Sequence, residues 1–259
     1  MHPTLRGLRA AFPLLLLACA GSGDGAAAGA PGESCRVVRQ GLELPQEVRE
    51  SSGLAASRRT PGVFWTHNDS GGEPEVFAVD STGRLLGRVR VAGAENKDWE
   101  DVAVGPCPGG GSCLYLADTG DNDAKRKDVE VYRVPEPAPA DAATAPAEQI
   151  RLRYPAGARD AEAVFVMPGG DLYLVTKGRK HPVEVYRAPA PLRAGASVPL
   201  VRLGSLGGRA ERLNMVTGAS ATPDGRWVAV RTYAALHLFR AADLLAGGEP
   251  ESDRVDLIP

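Results

Sequence analysis

Acidic and amide side chains recur along this chain at points where strand-like runs begin or end. Glu100 and Glu162 begin two short apolar runs, whereas Asn68, Asp69 and Asp118 follow runs of alternating apolar residues. Carboxylate and amide oxygens are the ligands that calcium and other hard cations prefer. If the fold brings these side chains together, they predict a ligand-binding site in which Glu100 and Asp118 are the candidate metal ligands.

Basic side chains occupy the same kind of position, because Lys177 and Arg231 follow two further strand-like runs. Three interpretations therefore stay open. The residues bind calcium or another hard cation, or they form a hydrolase site in which a metal activates water or His67 acts as a base. In the third interpretation the acidic residues only close turns and pair with Lys177 and Arg231. The two cations also suit a small anionic ligand.

The segment Asp118-Thr-Gly-Asp-Asn-Asp123 has the acidic spacing of a calcium loop. It lacks the distal glutamate that an EF-hand requires, so a tight turn after a strand is the favoured interpretation. The sequence also contains no Gly-x-Ser-x-Gly nucleophile elbow. It identifies no catalytic residue.

An internal repeat explains why these side chains hold equivalent positions. Four runs that lie 48, 62 and 55 residues apart begin at Ser52, Glu100, Glu162 and Thr217. Each is followed by three more strand-like runs separated by turn residues, and no segment has convincing helical periodicity except a single turn near residues 241–245. Four short antiparallel strands form the blade of a β-propeller. The sequence therefore predicts an all-β propeller with four full repeats.

One further strand, Arg36 to Leu44, precedes the first repeat. In propellers such a strand commonly completes the outer edge of the last blade. We therefore expect it on the sheet of an unfinished blade or against the open edge of the ring. The ring is either four-bladed with a spare strand or an incomplete five-bladed ring.

The strand order predicts where the candidate residues meet. The first strand of a blade is innermost and the second runs antiparallel to it. The start of the first strand and the end of the second therefore share one face, at one mouth of the central channel. Trp99, at the start of an inner strand, is a candidate plug for that channel.

The N-terminal segment predicts export. Residues 1–19 combine Arg6 and Arg9 with a short apolar run that ends in Leu-Ala-Cys19. This pattern resembles the lipobox of bacterial lipoproteins, which implies lipidation of Cys19. Residues 20–34 are a Gly/Ala-rich flexible tether and residues 35–259 form the propeller domain. The expected location is the bacterial cell envelope, on the extracytoplasmic side, with the lipid as the only membrane contact.

Cys107 and Cys113 bracket a Pro-Gly-Gly-Gly-Ser turn between two strand-like runs, which predicts a disulfide in an oxidising compartment. The formal net charge of −2 gives no indication of a basic surface for nucleic acid, and no nucleic-acid partner is expected. The expected partners are an envelope protein or polymer, or a small anionic ligand.

Several segments together resemble a family of secreted bacterial β-propeller proteins grouped with the TolB-like and NHL-like propellers. They include Ser51-Ser-Gly-Leu54, Trp65-Thr-His-Asn-Asp-Ser-Gly71, Asp98-Trp-Glu-Asp-Val102 and Ala117-Asp-Thr-Gly-Asp-Asn122. The similarity covers roughly residues 48–240. Members of the family usually continue with a further Gly-Glu-Ala-led unit that this chain lacks, which also indicates a missing blade. The resemblance implies no activity and no catalytic residue.

The function predicted from the sequence is that of a lipid-anchored binding module that acts through its channel mouth. The alternative is a calcium-dependent hydrolase of an ester, lactone or phosphoester. A solvent-filled funnel lined by Glu100, Glu162 and Asp118 would favour the enzyme, and a plugged channel would favour the binding module.

Overall fold

A computed structural model describes residues 43–195 and 197–257, together with the backbone of two short strands, β1 (Leu16–Cys19) and β2 (Cys35–Arg39). Most of the predicted signal segment and tether, and the side chain of Cys19, lie outside this description. Within the described residues, no helix is long and apolar enough to cross a membrane.

The predicted all-β propeller is confirmed: four four-stranded units are arranged as a ring, and consecutive strands within each unit pair antiparallel. Blade 1 comprises β3 (Ser51–Ala56), β4 (Val63–Asn68), β5 (Glu75–Asp80) and β6 (Leu85–Arg90). Blade 2 comprises β7 (Trp99–Pro106), β8 (Ser112–Asp118), β9 (Val129–Pro135) and β10 (Glu148–Arg153). Blade 3 comprises β11 (Ala161–Val166), β12 (Leu172–Thr176), β13 (Val183–Ala188) and β15 (Val201–Gly207). Blade 4 comprises β16 (Val216–Ala221), β17 (Trp227–Thr232), β18 (Ala235–Arg240) and β19 (Asp253–Asp256), and the predicted helical turn is α1 (Ala241–Ala246).

Two strands differ from the sequence prediction. The extra N-terminal strand is β2, which pairs antiparallel with β1 and not with the edge of any blade. It therefore does not join the sheet of an unfinished blade, because β1 supplies the partners that its backbone groups require. The alternative, that it lies against the open edge of the ring, stays a prediction.

The second difference lies between blades 2 and 3. The last strand-like run of the third repeat, residues 198–203, is divided into β14 (Ser197–Pro199), which adds to β10 in parallel, and β15. Leu200 separates them: its side chain is buried and its N–H donates to the carbonyl of Arg153 over 2.8 Å. Burying this leucine in the apolar core between the two blades makes the chain change partner strands.

Three apolar clusters hold neighbouring blades together. Trp65 of blade 1 and Trp99 of blade 2 lie in the first, and Tyr115 and Val164 join blades 2 and 3 in the second. The third joins blades 3 and 4. Within residues 43–195 and 197–257, no such cluster joins blade 4 to blade 1, although their inner strands β16 and β3 are in contact. In the part of the chain that the structure describes, the ring is therefore continuous at its axis and has three inter-blade cores for its four blades.

The axis is closed by a carboxylate. Asp101 of β7 is buried and accepts backbone N–H groups from three different blades: Val102 over 2.8 Å, Val164 over 2.8 Å and Ala219 over 3.1 Å. Trp99, the predicted plug, instead lies between blades 1 and 2 and donates its indole N–H to the carbonyl of Glu95. Asp101, and not Trp99, fills the centre of the ring.

Candidate functional site

The carboxylates above the axis owe their orientation to β-bulges. In each blade, the pairing between the first and second strands is irregular just after the first strand begins. In blade 2 the pairing passes from Trp99 directly to Asp101, and in blade 3 from Ala161 directly to Ala163. Glu100 and Glu162 are therefore the unpaired bulge residues. A bulge turns a side chain away from the regular alternation, and here it directs two glutamates toward the same mouth.

Five carboxylates meet at this mouth in two overlapping groups. The first group, the outer group, is formed by Asp69, Asp98 and Glu100, and the second, the inner group, by Glu100, Asp160 and Glu162. Within each group one ligand atom per residue lies within 4.8 Å of the others. All five residues lie at the start of an inner strand or at the end of a second strand, on the face that the strand order predicts. Glu100 belongs to both groups.

Several of these oxygens have no partner. The side chain of Glu100 is buried and belongs to both groups. Asp160 accepts the N–H of Asp121 with Oδ1 over 2.9 Å, while its buried Oδ2 has no partner among these residues. The Oδ1 of Asp69 is also buried without a partner. Buried polar groups are normally paired, so these exceptions require an explanation.

The ammonium group of Lys177 places a positive charge at the mouth. Lys177 follows β12, and its ammonium group is ion-paired with Glu162. This is one of the pairs that the turn-and-salt-bridge interpretation expects. Its single charge could compensate only one of the five carboxylates if all of them were ionised.

Burial and mutual repulsion raise the pKa values of the cluster. Burial is the largest cause at Asp98, whose pKa rises to about 6, and at Glu162, whose pKa rises to about 7 although Lys177 opposes the change. The pKa of Asp69 is also raised by burial. For Glu100, burial and the neighbouring charge of Glu162 raise the pKa most strongly. The metal-free cluster therefore retains protons at a pH at which isolated carboxylates have lost them.

Asp118 lies outside both groups. Its fully buried carboxylate pairs with the guanidinium of Arg126 over 2.8 Å and accepts the N–H of Lys97 over 3.2 Å. Asp121, three residues on, accepts the N–H groups of Lys125 and Arg126. These contacts are those of a charged turn, as favoured for this segment.

Two other residues predicted for the site form hydrogen bonds away from the carboxylate groups. Asn68 accepts the N–H of Glu50 and donates to the carbonyl of Glu47. Arg231 donates to the hydroxyl of Thr217, the bulge residue of blade 4, over 2.8 Å. Neither side chain belongs to the carboxylate groups.

His67 is held as a neutral, buried ring. Its Nδ1 donates to the carbonyl of Asn68 over 2.9 Å, and the ring stands edge-on to Trp99 with the centroids 5.6 Å apart. Burial lowers its pKa to about 4. His67 is not a member of either carboxylate group, so the geometry gives it no contact with an ion there.

A cleft of about 420 Å³ borders the outer group. It is lined by Asp98 and Gly120 together with residues of the Asp118–Arg126 turn. A Cβ on Gly120 would lie 2.3 Å from Asp98 Oδ2 and 2.4 Å from Glu100 Oε1, so only glycine lets the backbone approach both carboxylates. The outer group is thus open toward solvent, whereas the inner group is buried.

Asp98 and Asp160 were missed in the sequence analysis. Each lies two residues before a bulge glutamate, in the repeated pattern Asp98-Trp-Glu100 and Asp160-Ala-Glu162. The recurrence of Asp-x-Glu at equivalent points of two blades was the signal that could have identified both.

Comparisons with known proteins concern the fold. No protein-family model and no curated protein matches the sequence. Among solved structures, hydrazine synthase of Kuenenia stuttgartiensis is similar at 15% identity and a TM-score of 0.45 over 84% of this chain, which spans about half (53%) of that one. The PQQ-bound aldose sugar dehydrogenase of Streptomyces coelicolor is similar at 13% identity and a TM-score of 0.46, over 86% of this chain and 84% of that one. The likeness is one of β-propeller fold, and it assigns no family.

Proposed function

We propose that this protein is a binding module that holds a divalent cation, calcium by its ligand chemistry, at the mouth of its propeller. The observation that carries the proposal is the buried Oδ2 of Asp160, which has no partner among the described residues and lies in the inner group with Glu100 and Glu162. In the outer group the buried Oδ1 of Asp69 also has no partner there. A buried, unpaired carboxylate is strongly disfavoured, so it must either take up a proton or bind a cation.

Calcium suits the available ligands. The two groups offer only carboxylate oxygens, and an ion with oxygen ligands at 2.3–2.6 Å can be reached by atoms that lie within 4.8 Å of one another. Calcium also accepts irregular geometry and completes its shell with water, whereas magnesium requires a near-ideal octahedron. The half-buried position of Asp98 beside the cleft leaves room for such waters or for an anionic group of a ligand.

The sequence also supports a proposal on the family and the cellular location of this module. We propose that it belongs to the secreted bacterial propeller family that it resembles and is tethered outside the membrane by a lipid on Cys19. An ion at the mouth would then face an envelope protein or polymer that supplies carboxylate or phosphate oxygens.

Cys19→Ser should release the protein from the membrane fraction or block its maturation. Unchanged membrane association and unchanged mass of the mature variant would contradict the anchor.

Calcium titration of chelator-treated protein tests the cation site. We expect heat of binding by calorimetry and a higher melting temperature with calcium, because a ligand that binds only the native state stabilises it, by about 2.7 kcal/mol at a hundredfold excess over Kd. Glu100→Gln should abolish both effects while the protein stays folded. The matched control is Glu73→Gln, at an exposed glutamate away from the mouth, which should behave as the wild type. Folded wild-type protein that neither binds nor is stabilised by millimolar calcium would overturn the proposal.

A further inference from the structure

The two carboxylate groups share one residue and differ in their surroundings. Glu100 is common to both, Asp160 and Glu162 complete the buried inner group, and Asp69 and Asp98 complete the half-buried outer group. We infer that the mouth binds two divalent cations, one in each group, with the carboxylate of Glu100 bridging them. This inference rests on the proposed function, because it specifies how many ions that site holds.

The first argument is the pattern of unpaired atoms. The inner group contains Asp160, whose side chain is more than nine-tenths buried and whose Oδ2 has no partner among the described residues. The outer group contains Asp69, whose buried Oδ1 also has none. Each group thus contains its own unsatisfied oxygen. A single ion in either group would leave the oxygen of the other group without a partner.

The second argument is charge. Two groups of three that share one member contain five carboxylates, or five negative charges when ionised. Lys177 supplies one positive charge. The charge of Arg126, which also acts on Asp98, is ion-paired with Asp118 outside both groups. The remainder is four negative charges, which two divalent cations neutralise. One divalent cation would leave two negative charges in a partly buried site, where repulsion is much stronger than in water.

The third argument is the geometry of known two-ion centres. Such centres hold their ions about 3.5–4 Å apart, a distance that one bridging carboxylate spans. Glu100 is placed for this role by its bulge, which leaves it between the strands that carry the two groups. The inner ion would be enclosed by protein, whereas the outer ion would face the cleft beside Gly120 and keep exchangeable ligands.

The number of bound calcium ions tests the inference. Chelator-treated protein is titrated with calcium at pH 8 by calorimetry, and equilibrium dialysis with elemental analysis provides an independent count. We expect two ions per chain in the wild type. Asp98→Asn and Asp160→Asn should each reduce the count to one, because each removes a ligand of one group, and Glu100→Gln should reduce it to none. Asp123→Asn is the matched control, an exposed carboxylate that lines the same cleft outside both groups, and should leave two.

The outcomes separate the two proposals. One ion per wild-type chain would overturn the two-ion inference and leave the proposed function standing, whereas no binding would overturn both. Loss of both ions in Asp98→Asn, with the fold retained by circular dichroism, would also contradict two separable sites. If Asp160→Asn does not fold, Glu162→Gln removes a ligand of the same inner group and should likewise leave one ion.

Discussion

The carboxylate of Asp101 occupies the space that a side chain on Gly53 would need. A Cβ at Gly53 would lie 2.6 Å from Asp101 Oδ1 and 2.7 Å from the backbone nitrogen of Val102. The inner strands of blades 1 and 2 therefore approach each other closely at the axis. The equivalent positions in the other blades are Ala163 and Gly218, which are also small, so one aspartate fills a space bounded by four inner strands.

Gly53→Ala should destabilise the protein by about 2–4 kcal/mol, because the methyl group clashes with Asp101 and the backbone has a φ of +75°. Chemical denaturation measures this loss. Gly62→Ala is the matched control, since its φ is +80° but nothing lies within 4 Å of the added Cβ; it should cost only the backbone strain, about 1 kcal/mol. Equal effects of the two substitutions would show that the close approach at the axis is absent.

Asp101→Ala should lower the free energy of unfolding by about 3–6 kcal/mol. The substitution removes the acceptor of three buried N–H groups, on Val102, Val164 and Ala219, and each unpaired donor costs about 1–3 kcal/mol. Asp243→Ala, an exposed residue of α1, should change stability by less than about 0.5 kcal/mol. Urea denaturation of both variants provides the comparison, and a loss in Asp101→Ala as small as in the control would refute the axial role.

Metal-free protein should lose stability as the pH rises from about 4 to 7. Asp98 and Glu162 have raised pKa values, about 6 and about 7, so the folded protein binds more protons than the unfolded chain in this range. Stability therefore falls with increasing pH. Melting temperatures across the range measure the trend, and Glu162→Gln should weaken it.

Calcium should reverse that trend. The ion replaces protons on the same carboxylates, so its affinity should rise over the same pH range and its binding should release protons. Calorimetry in buffers of different ionisation enthalpy counts the released protons. A calcium affinity that stays constant between pH 5 and 8 would argue against binding at these carboxylates.

The Cys107–Cys113 disulfide, predicted from its spacing, is confirmed, with the two Cα atoms 5.1 Å apart. Replacing both cysteines by serine should destabilise the protein by about 2 kcal/mol, because the loop that the bond closes is short. Urea denaturation of the oxidised wild type, the reduced wild type and the double variant checks this value. The reduced wild type and the variant should agree, and a loss above about 4 kcal/mol would indicate that the turn itself depends on the bond.

The sequence by itself determined the blade architecture and the face on which function is expected. Strand alternation and turns such as Pro223-Asp-Gly225 are local properties, and the observed strands follow them within a few residues in most repeats. The position of Glu100 and Glu162 at one mouth followed from the antiparallel order of neighbouring strands, which also depends only on short-range pairing. The disulfide followed from six residues of separation.

Only the tertiary structure decided which side chains meet. Asp118 was a candidate ligand by type, but a guanidinium eight residues away, on Arg126, takes its carboxylate. Asp98 and Asp160 belong to the site because the ring brings strands more than sixty residues apart into contact. The bulges at Glu100 and Glu162 direct those two side chains toward the same mouth. The axial contacts of Asp101 span up to 118 residues of sequence. Such contacts depend on how the blades pack around a common axis, and no periodicity within one blade contains that information.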